Sequence, residues 1–137
     1  GEHYRLEDIQ FHPTPVQKPR IPVWLAGIWP GTKPFQRAAK WDGIFPMYRH
    51  DGPFPAEELR KMVEYIGQHR TSEDPFDVVL TTRTHKAGKV DPTLTDAYLT
   101  ELDALEDAGL TWAIESMDLT PGVDEVLAVI RQGPPRL

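Results

Sequence analysis

Apolar positions change period several times along the chain. Ile21 to Ala26 is a continuous apolar run broken only by Pro22, the pattern of a strand buried on both faces. A short helix follows over Phe35–Trp41, with Pro34 at its start. A second strand is predicted over Gly43–Phe45. Pro55 to His69 is amphipathic: Leu59, Met62, Val63 and Ile66 fall at i, i+3, i+4 and i+7. The segment "FDVVLTT", Phe76–Thr82, reads as a third strand. The longest helix is expected over Pro92–Ala108, with Leu94, Tyr98, Leu102 and Leu105 on one face and Gly109 as its stop. Leu110–Ile114 supplies a fourth strand. Val123, Val126, Leu127 and Ile130 mark a last helix.

The helix starts share a grammar. Asp91-Pro92 and Thr120-Pro121 place a capping oxygen before a proline at the first helical position, and Pro34 and Pro55 fit the same role. Strand, loop and helix alternate, which defines an α/β fold with parallel strands. Residues 1–20 stand apart as an N-terminal arm. Tyr4, Leu6, Ile9 and Phe11 alternate partly there, as in a short hairpin or extended strands. The stretch "HPTPVQKPRIP" has four prolines in eleven residues and reads as an extended connector. Residues 21–137 then form a β/α domain.

The count of units narrows the architecture. An eight-unit (β/α)₈ TIM barrel takes roughly 250 residues, and this chain holds four β/α units in 137. Its layout is that of half a barrel, and a small open sheet is the alternative. A half-barrel leaves apolar surface on its inner face.

Composition removes several classes. The formal net charge is −6, from 15 Lys and Arg against 21 Asp and Glu; nucleic acid is a poor partner for such a surface. No apolar run approaches the ~18 residues of a membrane span, and "GEHYRLEDIQ" has no apolar signal core. Cysteine is absent, which excludes thiol chemistry, disulfides and zinc–thiolate sites and makes a cytoplasmic setting the expectation. The five histidines are scattered, with no His-Glu-x-x-His, so no metal site is expected. No Gly-x-Ser-x-Gly elbow is present. The carboxylates of "TDAYLTELDALEDAG" fall mainly on the polar face of a helix, as a solvated surface does.

The turn "AGIWPGTKP" lies after a strand and before a helix. Backbone N–H groups and the helix dipole favour an anion at such a place. Gly27 and Gly31 permit close backbone approach, Thr32 offers a hydroxyl and Lys33 a charge. The same glycines suit a tight β/α turn with no ligand. The Walker pattern is absent.

The segments "PVQKPRIPVWLAG" and "RAAKWDGIFP" together resemble the bacterial-luciferase-like monooxygenases, the class of flavin- or F420-dependent oxidoreductases. The resemblance is strong over residues 1–50 and weaker, mainly in layout, over 51–137. It implies a TIM barrel, of which this chain matches strands five to eight, the C-terminal half. It implies binding of reduced flavin (FMN), with F420 the alternative, and oxidation or monooxygenation of a small organic substrate. The residues near the cofactor phosphate would be Gly27, Ile28, Trp29, Gly31 and Thr32. The substrate side would include Met47, Tyr48, Arg49 and His50.

Other residues are candidates by position. His50 sits at a strand mouth, where it can donate a proton or contact an anion, and where a solvated loop histidine is equally at home. Arg83 and His85 follow the third strand, and Glu115 and Ser116 end the fourth; all fit pocket lining or ordinary loop roles. Arg37 suits an ion pair with Asp42, which with Gly43 forms a turn. Trp24 reads as packing. Trp29 reads as packing against loops or, exposed in its turn, as a cover for an aromatic ring. Two functions follow: part of a cofactor-dependent oxidoreductase, or an inactive half that hides its inner face against the missing N-terminal half or a second copy of itself, as a homo-oligomer.

Overall fold

A computed structural model describes residues 2–82, 85–86, 89–90, 92–116 and 122–133, with side chains omitted at 85–86, 89–90, 92–98 and 132. In chain order the elements are β1 (Trp24–Trp29), α1 (Thr32–Ala38), β2 (Gly43–Tyr48), α2 (Ala56–His69), β3 (Asp77–Thr82), β4 (His85–Lys86), β5 (Lys89–Val90), α3 (Pro92–Asp107), β6 (Trp112–Glu115) and α4 (Val123–Gln132). Four strands form one sheet in the order β1-β2-β3-β6, and every pairing in it is parallel. The short β4 and β5 form a separate antiparallel pair. The chain is therefore α/β with a four-stranded parallel sheet. No described helix is long and apolar enough to cross a membrane.

The arm contains no helix or strand among its described residues, and residues 2–23 are all exposed. The extended-connector reading fits, and no strand pairing occurs among the described residues of the arm. Its base is fastened. Arg20 donates two hydrogen bonds to the Asp42 carboxylate, at 2.5 and 3.1 Å, and its guanidinium lies over Trp41. Asp42 thus takes Arg20 and not Arg37. Its carboxylate also accepts the Val23 N–H at 2.6 Å.

The first two strands run later than expected. β1 starts at Trp24 and passes through Gly27 to Trp29, because the β1–β2 register continues through Gly27↔Pro46, Ile28↔Met47 and Trp29↔Tyr48. Glycine normally weakens a strand interior. Here Gly27 is where α1 docks: a Cβ there would meet Pro34 Cβ at 2.8 Å and the Phe35 ring at 3.2 Å. β2 likewise survives Pro46. Its ladder with β3 pairs only Gly43 and Ile44, so the residue without an N–H lies beyond it.

Helices α1, α2 and α3 pack on one face of the sheet. Leu25, Trp29, Ile44, Tyr48, Val78 and Leu80 point to that side and share a core with Phe35, Leu59, Met62, Ile66, Leu105 and Ala108. The amphipathic reading of α2 holds: Leu59, Met62 and Ile66 are buried and Val63 is half-buried. α3 ends as expected. Gly109 adopts φ +104°, and the Leu110 N–H reaches Leu105 O at 2.9 Å while the Gly109 N–H reaches Glu106 O at 2.8 Å, a Schellman closure. Leu102 and Leu105 pack as predicted; the side chains of Leu94 and Tyr98 lie outside the described residues. On α4 the expected stripe is displaced. Val129 is buried, while Val123 and Ile130 are 76% and 58% exposed.

The opposite face of the sheet is apolar and uncovered by any described element. Register places Trp24, Ala26 and Ile28 beside Gly43, Phe45 and Met47, and Val79 and Thr81 beside Trp112 and Ile114. Burial of β1 on both faces is therefore not observed, since Trp24, Ala26 and Ile28 are exposed. Gly43 and Val79 are the buried residues of this face.

Candidate functional site

The C-terminal ends of the four parallel strands lie side by side, and each carries residues of interest. β1 ends at Trp29, β2 at Tyr48, β3 at Thr82 and β6 at Glu115. The ladders run on past these ends: the Arg49 N–H donates to Trp29 O at 3.0 Å, and the Ser116 N–H to Thr82 O at 2.8 Å. The Thr82 hydroxyl donates to Glu115 Oε2 at 3.1 Å. Glu115 is thus tied to a neighbouring strand end.

A cavity of about 1000 Å³ opens at the ends of β2 and β3, at the top of the usual 300–1000 Å³ range of small-molecule pockets. Met47, Tyr48 and Phe54 form one wall, Thr81 and Thr82 another, and Glu101 and Leu105 of α3 approach from the side. The lining is mostly apolar with few polar groups, the usual composition of an organic ligand site. Phe54 is buried and packs on Tyr48, ring centroids 5.2 Å apart. His50 packs edge-on against Tyr48 at 5.1 Å. Arg49 and His50 are both exposed. Glu101 is an addition that the sequence did not single out, because it sits among many carboxylates of one helix and only the tertiary fold distinguishes it.

The glycine turn has internal reasons for its composition. Gly27 makes room for α1. Gly31 passes beneath a carbonyl: a Cβ there would come within 2.7 Å of Ile28 O. Trp29 is buried, its ring edge-on to Phe35 at 5.2 Å and its indole N–H donating to Glu58 Oε2 at 2.8 Å. It is packing, and its indole is not presented to a ligand. Ile28 lies on the uncovered sheet face. What remains outward-facing is Thr32 and Lys33, both exposed. The first turn of α1 has no side-chain cap and no acidic residue.

Electrostatics beside the turn are local. Glu58 is held below the usual carboxylate range, first by Lys61 and then by the Trp29 N–H. Lys61 bridges Glu57 and Glu58 at 2.8 and 2.9 Å, and both raise its pKa. Asp42, at the far end of the sheet, is lowered first by Arg20 and then by the Val23 N–H.

The structure thus brings together Tyr48, His50, Thr82 and Glu115 at the strand ends, with Met47 beside them. It leaves Trp29 in the core. Arg83 lies outside the described residues, as does the His85 side chain. Among the described residues no group of three or more His, Asp or Glu side chains is arranged to hold a metal. No protein-family model matches the chain, and no curated protein matches its sequence.

Proposed function

We propose that this chain is the C-terminal half of a (β/α)₈ barrel oxidoreductase of the luciferase-like class, acting on a small organic substrate with reduced FMN, or with F420 by hydride transfer. The observation that carries the reading is the mostly apolar cavity of about 1000 Å³ at the C-terminal ends of parallel strands, the end at which barrel enzymes build their active sites. The order β1-β2-β3-β6, with helices on one face and an apolar opposite face, is the arrangement of consecutive β/α units in such a barrel.

The residues present suit a phosphorylated cofactor in one respect. Thr32 and Lys33 are exposed beside the turn, and the first turn of α1 holds no acidic side chain. Thr32 and Lys33 would hold the phosphate, with Gly31 allowing the chain to turn there. When bound, the cofactor supplies the oxidation–reduction chemistry. The protein's part is positional: Met47, Tyr48 and Phe54 exclude water, His50 offers an exposed imidazole at the rim, and Thr82 orients Glu115.

Titration of the chain with FMN and with F420, read by cofactor fluorescence, tests the proposal. Saturable binding of one cofactor, weakened by Lys33→Glu, is the expected result and selects between the two. If a folded chain shows no saturable response to either, the assignment of the turn to the phosphate is wrong.

A further inference from the structure

We propose that the cavity at the ends of β2 and β3 takes an apolar organic molecule bearing a protonated amine, and that Glu101 is the residue that selects the amine. The proposal rests on the reading of this cavity as the substrate site and names the class of substrate.

Three observations carry it. The first is reach. β2 and β3 pair only at Gly43↔Asp77 and Ile44↔Val78, and Pro46 has no N–H with which to extend the ladder. Beyond that point residues of both sheet faces line the cavity: Phe45 and Thr81 from the uncovered face, Leu80 and Thr82 from the helix side. A molecule seated at the strand ends therefore reaches α3 behind the sheet. α3 contributes Glu101 and Leu105 to the lining, about one helical turn apart on the same face. Because α3 returns the chain from the end of β3 to the start of β6, Glu101 is the nearer of the two to the mouth.

The second is charge. Among the described lining residues Glu101 is the only acidic or basic one. The aromatic rings of Phe45, Tyr48 and Phe54 supply a body-sized apolar wall, and the remaining polar side chains there are neutral hydroxyls. A single carboxylate in such a wall attracts a cation and disfavours an anion. The net charge of −6 acts in the same direction.

The third is the state of Glu101 itself. Asp103, Glu106 and Asp107 of the same helix are exposed, as solvated carboxylates are, while Glu101 is half-buried. The other half-buried carboxylates among the described residues all have donors: Asp42 from Arg20, Glu58 from Lys61 and Trp29, Asp77 from two indoles, and Glu115 from Thr82. Among the described residues Glu101 has no hydrogen-bond or ion-pair partner. An ammonium group entering the cavity would supply one.

The test uses the whole chain without cofactor and three fluorescent probes with the same aromatic body. Dansyl-cadaverine ends in an ammonium group, dansyl-aminopentanol in a hydroxyl and dansyl-aminohexanoate in a carboxylate. Dansyl emission shifts to the blue in an apolar pocket and reads binding directly. The amine should bind about tenfold more tightly than the alcohol, the factor a hydrogen bond to a charged group supplies, and the carboxylate more weakly than both. Glu101→Gln should bring the amine to the affinity of the alcohol and leave the alcohol unchanged. Glu106→Gln removes the same charge from the exposed side of α3 and should leave the tenfold preference intact. Circular dichroism checks that each variant is folded. Equal affinities for the three probes overturn the proposal, as does saturable binding of none of them. A preference that survives Glu101→Gln overturns it too, and so does one that Glu106→Gln reduces equally, since that is net charge alone. A chain that prefers the amine but binds neither FMN nor F420 keeps this proposal and removes the cofactor reading; binding of a cofactor with no preference for the amine does the reverse.

Discussion

The Asp77 carboxylate and the Trp24 indole meet at 2.8 Å across 53 residues of sequence. The other Asp77 oxygen takes the Trp112 N–H at 3.1 Å, and the two indoles lie 5.8 Å apart. One side chain at the start of β3 thus ties β1 to β6, the two edges of the sheet. Gly43 is what admits this arrangement, since a Cβ there would meet Trp24 Cδ1 and Asp77 O, each at 2.6 Å. Asp77→Ala should cost about 1–2 kcal/mol, the range of a hydrogen bond to a charged group at a half-exposed site. It should also shift tryptophan emission to the red. Emission and unfolding midpoint both unchanged would mean that the indoles do not depend on Asp77.

The turn glycines should respond to a single methyl group. Gly27→Ala forces Pro34 and Phe35 away from β1, and overpacking of this kind costs about 1–3 kcal/mol. Gly31→Ala meets a backbone carbonyl and should be of similar severity. Gly67 is the control: it lies within α2 with nothing within 4 Å of a Cβ, so alanine there should stabilise by up to about 1 kcal/mol. Denaturant melts of the three variants give the comparison. Equal midpoints at Gly27 and Gly67 would refute the packing explanation of the turn.

Acid should loosen two places together. Asp42 and Glu58 are both lowered in the folded chain. Their contribution is complete above the ordinary carboxylate range near 4, where the unfolded groups are also ionised. It is lost as pH falls through the lowered folded values, because the unfolded chain binds protons first. Stability measured from pH 7 downward should stay level as far as this term is concerned and then fall below about 4. Asp42→Asn should flatten part of that fall and free the arm from Trp41. An identical acid limb in wild type and Asp42→Asn would remove Asp42 as a contributor.

The sequence made the strand–helix alternation legible, because each element has its own period and stop. Leu59, Met62 and Ile66 announced the buried stripe of α2, and Gly109 announced the end of α3. What failed to show was tertiary. Gly27 and Pro46 look like strand breakers and sit inside strands, because a docking helix needs the first and the β2–β3 ladder ends before the second. Arg37 is nearer Asp42 in sequence than Arg20 is, yet the arm brings Arg20 to it. Trp29, in a glycine-proline turn, reads first as packing and second as a ligand cover; α1 and α2 fold against it, and it is buried. At the strand ends, Tyr48 enters only through the resemblance, while position makes His50 and Glu115 visible. The bond from Thr82 to Glu115 and the place of Glu101 had no local signal, since both depend on contacts between distant segments.

Arg70 gives the sharpest test of how the α/β units are fastened together. Its guanidinium donates to the carbonyls of Ala39 and Trp41 at 3.3 and 2.9 Å, and to those of Asp74 and Pro75 at 2.6 and 3.4 Å. It also lies 4.8 Å above the Phe76 ring. One planar fork therefore joins the end of α1 to the loop before β3, satisfying carbonyls that no helix or strand ladder takes. Arg70→Met keeps the apolar stem and removes the donors, and should lose about 2–3 kcal/mol. Arg70→Lys keeps a cation over Phe76 but cannot span four acceptors in a fixed fork, so it should recover less than half of that loss. Chemical denaturation of both variants measures the difference. If lysine restored full stability, the fastening would be charge above an aromatic ring and not the geometry of the fork.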